Sequence, residues 1–225
     1  MNLGDTYFSK TKGSSGTNSD MLKRKGRENF QKFSTIKIKL DYAEKSLCMI
    51  PERFAIGMIE RGWILRNVII WHKPNAMPES VKDRFTRDFE YIYFFTKNKR
   101  YYFKQLIEPY KSKKHVEKKH KYRDAGLISY REKLNFYTQG GRNKRTVWSI
   151  SNKPFKEAHF AVFPPDIPEI CIKAGCPDDG IALDPFIGSG TTAVVCEQLG
   201  RKWIGIEINE EYCKISKERI EKVLS

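Results

Sequence analysis

Apolar positions fall into runs of distinct period. Leu47, Ile50, Phe54, Ile56, Met58 and Ile59 recur near helical spacing and Gly62 follows as a stop, which predicts a helix with Pro51 in its first turn or at a kink. Residues 63–71 and 89–96 are nearly continuous Ile, Val, Tyr and Phe, the pattern of strands buried on both faces, and the loop HKPNAMPESVKDR separates them. A short apolar run covers 147–150, and FPPDIP sets up a helix over 167–174. Upstream, SKTKGSSGTNSD at 9–20 has no apolar period and reads as a linker.

The last sixty residues carry the clearest alternation of elements. Residues 180–184 read as a buried strand, 185–190 as a tight loop, 191–199 as a helix and 203–208 as a second strand, a βαβ unit with a right-handed crossover. A closing helix over 210–223 gathers Tyr212, Cys213, Ile215, Ile220 and Val223 on one side.

Composition narrows the classes. With 225 residues, 40% apolar and 13% aromatic, the chain has enough core for one α/β domain plus an insertion and too much for disorder. No apolar stretch approaches the ~20 residues of a membrane span, and the N-terminus turns polar before an apolar signal core forms, so no membrane association and a cytoplasmic location are expected. Cys48, Cys171, Cys176, Cys196 and Cys213 are scattered, with no CxxC pair. Even Cys171, Cys176 and His159 together lack a fourth ligand and the usual spacing, so reduced thiols and no metal are expected.

Charge adds a partner. The net charge is +15, and residues 97–145 hold sixteen basic against four acidic groups, interleaved with Tyr101, Tyr102, Tyr110, Tyr122, Tyr130, Phe136 and Tyr137. That composition neutralises phosphates and stacks on bases, although a Lys-rich run is also what a solvated loop looks like.

The turn of the βαβ unit holds the candidate chemistry. Ligands of open α/β sheets bind beyond the carboxyl ends of the strands, and Gly188 and Gly190 there let a ligand approach the backbone. Asp184 ends the first strand and Glu207 the second, where a carboxylate can accept hydrogen bonds from both ribose hydroxyls. The loop is neither GxGxxG nor a P-loop with its lysine, so an adenosine without phosphates fits better than a nicotinamide or a nucleoside triphosphate. The bland alternative is a tight turn, an Asp helix cap and a surface Glu.

DPFIGSGTT at 184–192, followed by WIGIEIN at 203–209, closely resembles the cofactor-binding signature of amino-directed DNA methyltransferases, which make N4-methylcytosine or N6-methyladenine from S-adenosylmethionine. LCMIPERFAIGMIERGWILRNVIIWHKPNAMPES, DRFTRDFEYIYFFTKNKRYYF and RTVWSISNKPFKEAHFAVFPP look like segments of the same family, in the order of its permuted subgroup with the cofactor loop last. The resemblance implies an α/β, Rossmann-like methyltransferase sheet divided into a catalytic half at 1–103, a basic target-recognition insertion at 104–145 and a cofactor half at 146–225. It implies that Asp184, Pro185, Phe186, Gly188, Ser189, Gly190, Thr191 and Thr192 bind S-adenosylmethionine, Asp184 and the backbone near Gly188 to Gly190 at its methionine end with Thr191 and Thr192 starting the helix there, that Glu207 takes the ribose, and that Phe163 and Pro164 line the same cleft. It also implies double-stranded DNA as partner, gripped at phosphates by Lys111, Lys113, Lys114, Lys118, Lys119, Lys121, Arg142 and Arg145, and a cognate restriction endonuclease.

The family places a Ser/Asp/Asn-Pro-Pro-aromatic tetrapeptide at the target base, and the 225 residues contain none; Pro164-Pro165 is followed by Asp166. On the resemblance, the sheet is expected to be incomplete at its N-terminus, to expose apolar surface, and to find the missing segment in a separate polypeptide, behind a misplaced start or in a disrupted gene. Asn2 and Asp5 are expected to border the site. Cytosine N4 is the favoured acceptor because WHKPNAMPES and RTVWSISNKPFKEAHF resemble the N4-cytosine branch; adenine N6, or a DNA and cofactor binder without activity, are the alternatives.

Overall fold

A computed structural model describes residues 2–6, 43–109, 141–152 and 162–224. Strand β1 (Asn2–Leu3) leads to helix α1 (Ile50–Glu60), then β2 (Ile64–His72), β3 (Phe89–Thr96), β4 (Ile107–Pro109), β5 (Gly141–Asn143) and β6 (Val147–Ser149). Helix α2 (Asp166–Gly175), β7 (Ile181–Asp184), α3 (Thr191–Gln198), β8 (Lys202–Gly205) and α4 (Glu210–Leu224) complete the order. The 9–20 linker lies outside the described residues.

Four strands form one sheet in the order β1-β3-β2-β6, with β6 parallel to β2 and the other neighbours antiparallel. The β2–β3 register runs from Ile64 opposite Thr96 to His72 opposite Phe89 and shifts by one residue between Leu65 and Asn67. On one face Ile69, Trp71, Ile92 and Trp148 close on Ile167 of α2. On the other, Tyr91, Tyr93 and Phe95 form a ladder of rings, and Phe54 of α1 meets Phe95 edge-on at 6.1 Å. β3 therefore has a helix against each face. The first half of β2 does not: Arg66, Asn67 and Val68 are exposed, so the expected double burial over 63–71 is corrected to the second half of that strand.

Helix α1 begins with Pro51 in its first turn and is followed by Gly62 at φ +84°, as the pattern predicts. Its start is fixed from far away in sequence. Asp5 Oδ2 accepts the Met49 amide at 3.1 Å and Oδ1 the Ile50 amide at 3.0 Å, satisfying two donors that a helix start leaves without intrahelical partners.

The parallel pair β7–β8 is joined by α3, the expected βαβ unit. Ala182 and Trp203 pack against Ile172, Cys176, Val195 and Cys196, so α2 supplies Ile167 to one core and Ile172 to the other. The opposite face of the pair is open: Ile181, Leu183, Ile204 and Ile206 are more than half exposed. Instead of a buried strand over 180–184, β7 is a strand half-buried on one face, because among the described residues the packed cluster lies on the Ala182 side. Among the described residues no helix is long and apolar enough to cross a membrane.

Candidate cofactor turn and basic segment

Asp184 turns the chain out of β7. Its Oδ1 accepts the Phe186 amide at 3.0 Å, and its Oδ2 accepts the Thr192 hydroxyl at 2.5 Å, tying the start of the loop to the first turn of α3. The continuation of β8 then laces the loop: the Ile206 amide donates to the Asp184 carbonyl and the Ile187 amide to the Ile206 carbonyl, both at 3.0 Å. One residue on, Glu207 Oε2 accepts the Gly188 amide at 2.9 Å and Oε1 the Asn209 amide at 2.8 Å. Glu207 lies two residues past β8 rather than inside a strand over 203–208.

Gly188 and Gly190 sit at φ +53° and +84°, where a side chain costs ~1–2 kcal/mol. A Cβ on Gly190 would lie 2.4 Å from Ser216 Oγ of α4, so α4 packs directly on the turn. Ser189 and Thr191 are 5% and 2% exposed. Arg219 Nη1 donates to the Ser189 carbonyl at 2.6 Å, to the Ser189 hydroxyl at 3.0 Å and to the Thr191 hydroxyl at 3.2 Å. Pro185 and Phe186 are exposed at the tip, Phe186 by 75%. No side chain caps α3, whose N-terminus carries the positive end of the helix dipole beside this loop.

The structure brings Asp184, Gly188, Ser189, Gly190, Thr191, Thr192 and Glu207 into one hydrogen-bonded turn. Phe163, partly buried, packs against the Ile69–Trp71–Trp148 core, and Pro164 is fully buried. Asn2 and Asp5 occupy the edge of the four-stranded sheet. The Asn2 side-chain amide donates to the Tyr91 carbonyl at 3.1 Å, and Asp5 is engaged at the α1 start. Nearby, burial pushes the Tyr93 phenol up to about 12, with Glu52, Tyr91 and Asp5 adding to the rise.

Lys111, Lys113, Lys114, Lys118, Lys119 and Lys121 lie outside the described residues. Arg142 and Arg145 are both paired, their Nε atoms 2.9 and 2.6 Å from Glu108 Oε1. Glu108 and Arg142 face each other across the β4–β5 pair, which draws residues 109 and 141 together. Partial burial raises the Glu108 pKa, but the hydrogen bonds from Arg145 and Arg142 outweigh it and hold the carboxyl below its ordinary value. Among the described residues no three His, Cys, Asp or Glu side chains gather as a metal site. All five cysteines are free.

Sequence reasoning missed Arg219, Ser216, Asn209 and Glu108. Asn209 carried a local signal, since its Oδ1 accepts the Glu211 amide at the start of α4, as Asn before Glu-Glu does at helix starts. The others act through partners 26 to 37 residues away.

Residues 15–218 match the DNA methylase family model. The chain is 40% identical over 222 residues to the Type II methyltransferase M.SmaI of Serratia marcescens, covering 98% of this chain and 66% of that protein. It is 38% identical to M.Cfr9I of Citrobacter freundii, covering 98% and 64%. It therefore spans about two thirds of the length of these relatives. Among solved structures, the cytosine-N4-specific PvuII DNA methyltransferase superposes with a TM-score of 0.58 at 22% identity, over 82% of this chain and 64% of that one. The M1.HpyAVI–SAM complex gives 0.54 at 24% identity, over 77% and 70%. The fold is the Rossmann-like α/β fold of these structures.

Proposed function

The chain belongs to the DNA methylase family, and from that membership we propose that it binds S-adenosylmethionine at the 184–192 turn and double-stranded DNA through its basic segment, in methylation of an exocyclic base amine. The observation that carries the reading is the turn itself, in which Asp184 at the end of β7 and Glu207, two residues past β8, hold the loop around Gly188-Ser189-Gly190 by its backbone amides.

The residues present fit the cofactor. Each Glu207 oxygen accepts one backbone amide and retains acceptor capacity for a ribose hydroxyl. At Gly188 only the Phe186 carbonyl oxygen, at 3.9 Å, stands near where a Cβ would be, which leaves that backbone approachable, and the uncapped α3 start favours a carboxylate such as that of a methionine end. When bound, S-adenosylmethionine supplies a methyl group on a sulfonium sulfur. This chain's share is to orient the nucleoside through Glu207 and to hold the loop in one conformation through Asp184.

The β4–β5 pair supports reading 104–145 as an insertion on a short stem. Its lysines would add affinity through phosphates, while an amine held in a duplex must be turned out of the stack to react. Cytosine N4 is the acceptor we favour, on the resemblance of WHKPNAMPES and RTVWSISNKPFKEAHF to the N4-cytosine branch. A second reading, a DNA and cofactor binder without transfer, is favoured by the lack of a Pro-Pro-aromatic tetrapeptide in these 225 residues.

Incubation of the chain with methyl-labelled S-adenosylmethionine and unmethylated DNA, followed by mass analysis of the digested nucleosides, separates these. N4-methylcytosine supports the favoured reading and N6-methyladenine moves the acceptor. Cofactor binding without label transfer leaves the binder, and no cofactor binding refutes the site.

A further inference from the structure

The Gly188-Ser189-Gly190 run has two positive-φ glycines around one buried serine, a sequence with many backbone states of its own. Two outside groups select among them. Glu207, beyond β8, takes the Gly188 amide, and Arg219, from the third turn of α4, takes the Ser189 carbonyl and both neighbouring hydroxyls. Because the peptide is planar and trans, pinning the Ser189 carbonyl toward α4 turns the Gly190 amide the opposite way, where it donates to the Ile187 carbonyl at 2.9 Å. Ser216, three residues before Arg219 and on the same side of α4, occupies the space a Cβ on Gly190 would need.

We propose that Arg219 is a positioning residue for the cofactor: with Ser216 it makes α4 the clamp that fixes the 188–190 turn in its ligand-accepting form. The inference rests on the cofactor reading above and deepens it. Arg219 acts through the turn that faces the methionine end, whereas the nucleoside end depends on Glu207. Its loss therefore weakens ligands unequally, which general destabilisation does not do.

The test is calorimetry on the full chain with S-adenosylmethionine and with methylthioadenosine, which keeps the nucleoside and lacks the amino-acid end, comparing wild type with Arg219→Met and Arg219→Lys. Hydrogen exchange of the 187–191 segment in the free protein is measured alongside. The expected result is an affinity for S-adenosylmethionine lowered about tenfold in Arg219→Met, the scale of one lost charge-assisted hydrogen bond. Methylthioadenosine affinity changes less than twofold, Arg219→Lys is intermediate, and exchange at 187–191 is accelerated. Equal losses for both ligands, or no loss, overturn the positioning role while wild-type binding leaves the cofactor reading intact. Wild type that binds neither ligand refutes the cofactor reading and this role with it.

Discussion

The Gly188 amide donates to Glu207 Oε2 at 2.9 Å, so the carboxylate that follows β8 holds the loop that follows β7. The same side chain organises the chain toward α4 through the Asn209 amide, and one residue thereby sets the geometry of both strand ends. The residue proposed to read the ribose is thus also a structural tie, and its replacement is expected to act on both properties.

Glu207→Ala removes both bonds. Charge-assisted hydrogen bonds contribute ~1.5–3 kcal/mol each, discounted here because the group is only partly buried. Thermal unfolding is expected to fall by the equivalent of about 1–3 kcal/mol, and calorimetric S-adenosylmethionine affinity at least tenfold. Glu207→Gln keeps one acceptor but turns an amide donor toward a backbone amide, so it is expected between wild type and Ala. Undiminished cofactor affinity in Glu207→Ala counts against the ribose role.

Gly190→Ala forces a Cβ into the left-handed region and to within 2.4 Å of Ser216 Oγ. The expected destabilisation is about 2–4 kcal/mol from the backbone and overpacking together. Ser216→Ala removes the oxygen and leaves the Cβ at 3.0 Å, so the double substitution is expected to be more stable than the sum of the singles. A double-mutant cycle by urea unfolding measures that coupling, and strict additivity would exclude the contact.

The βαβ unit was legible because its signals are local: alternating apolar residues, glycines where φ turns positive, and a carboxylate at each strand end. What was not legible is what distant residues decide. Whether 63–71 is covered on both faces depends on where α1 and α2 land, and a run that reads WILRNVIIW does not say that Arg66 to Val68 meet solvent. The resemblance puts Asp5 beside the site but does not say that its two oxygens hold amides more than forty positions away. Counting charges across 97–145 could not show that Glu108 sits opposite Arg142, since the pairing follows from the β4–β5 register.

Trp148, on the edge strand β6, is 8% exposed in the core of the four-stranded sheet, and its indole N–H donates to the Arg145 carbonyl at 2.8 Å. Trp148→Ala is expected to cost about 3–5 kcal/mol, as large aromatic truncations in cores do. Trp148→Phe keeps most of the volume and leaves that carbonyl without its indole donor, so a loss of about 1–3 kcal/mol is expected. Equilibrium denaturation measures both, and equal losses would show that packing contributes little here.

The cysteines offer a test of burial. Cys171 and Cys213 are exposed, while Cys48, Cys176 and Cys196 are buried. Burial, with Cys176 and Glu197 adding to it, pushes the Cys196 thiol up to about 11. At pH 8 about one Cys196 in a thousand is then ionised. Desolvation also pushes the Cys171 thiol up, so alkylation at that pH is expected to mark Cys213 first and Cys171 more slowly in the native chain, and all five in denaturant, read by intact mass. Rapid native labelling of Cys196 would contradict the α3 packing.

Glu108 controls the free charge of the stem. Its carboxyl is held below its ordinary value, so the stabilisation from its pairs with Arg142 and Arg145 is complete above the unfolded value and lost as pH falls through the lowered one. At neutral pH both arginines are therefore engaged, and they compete poorly for phosphates. Glu108→Gln releases them without acid. If the basic segment grips DNA, fluorescence anisotropy with a short duplex is expected to show tighter binding for Glu108→Gln. The salt dependence should steepen by up to ~1.8, two further phosphates at ~0.9 each. Wild type already should weaken steeply with salt through its lysines, so a slope that is flat in both proteins refutes phosphate binding by this segment. A steep slope that Glu108→Gln leaves unchanged instead assigns the contacts to the lysines alone.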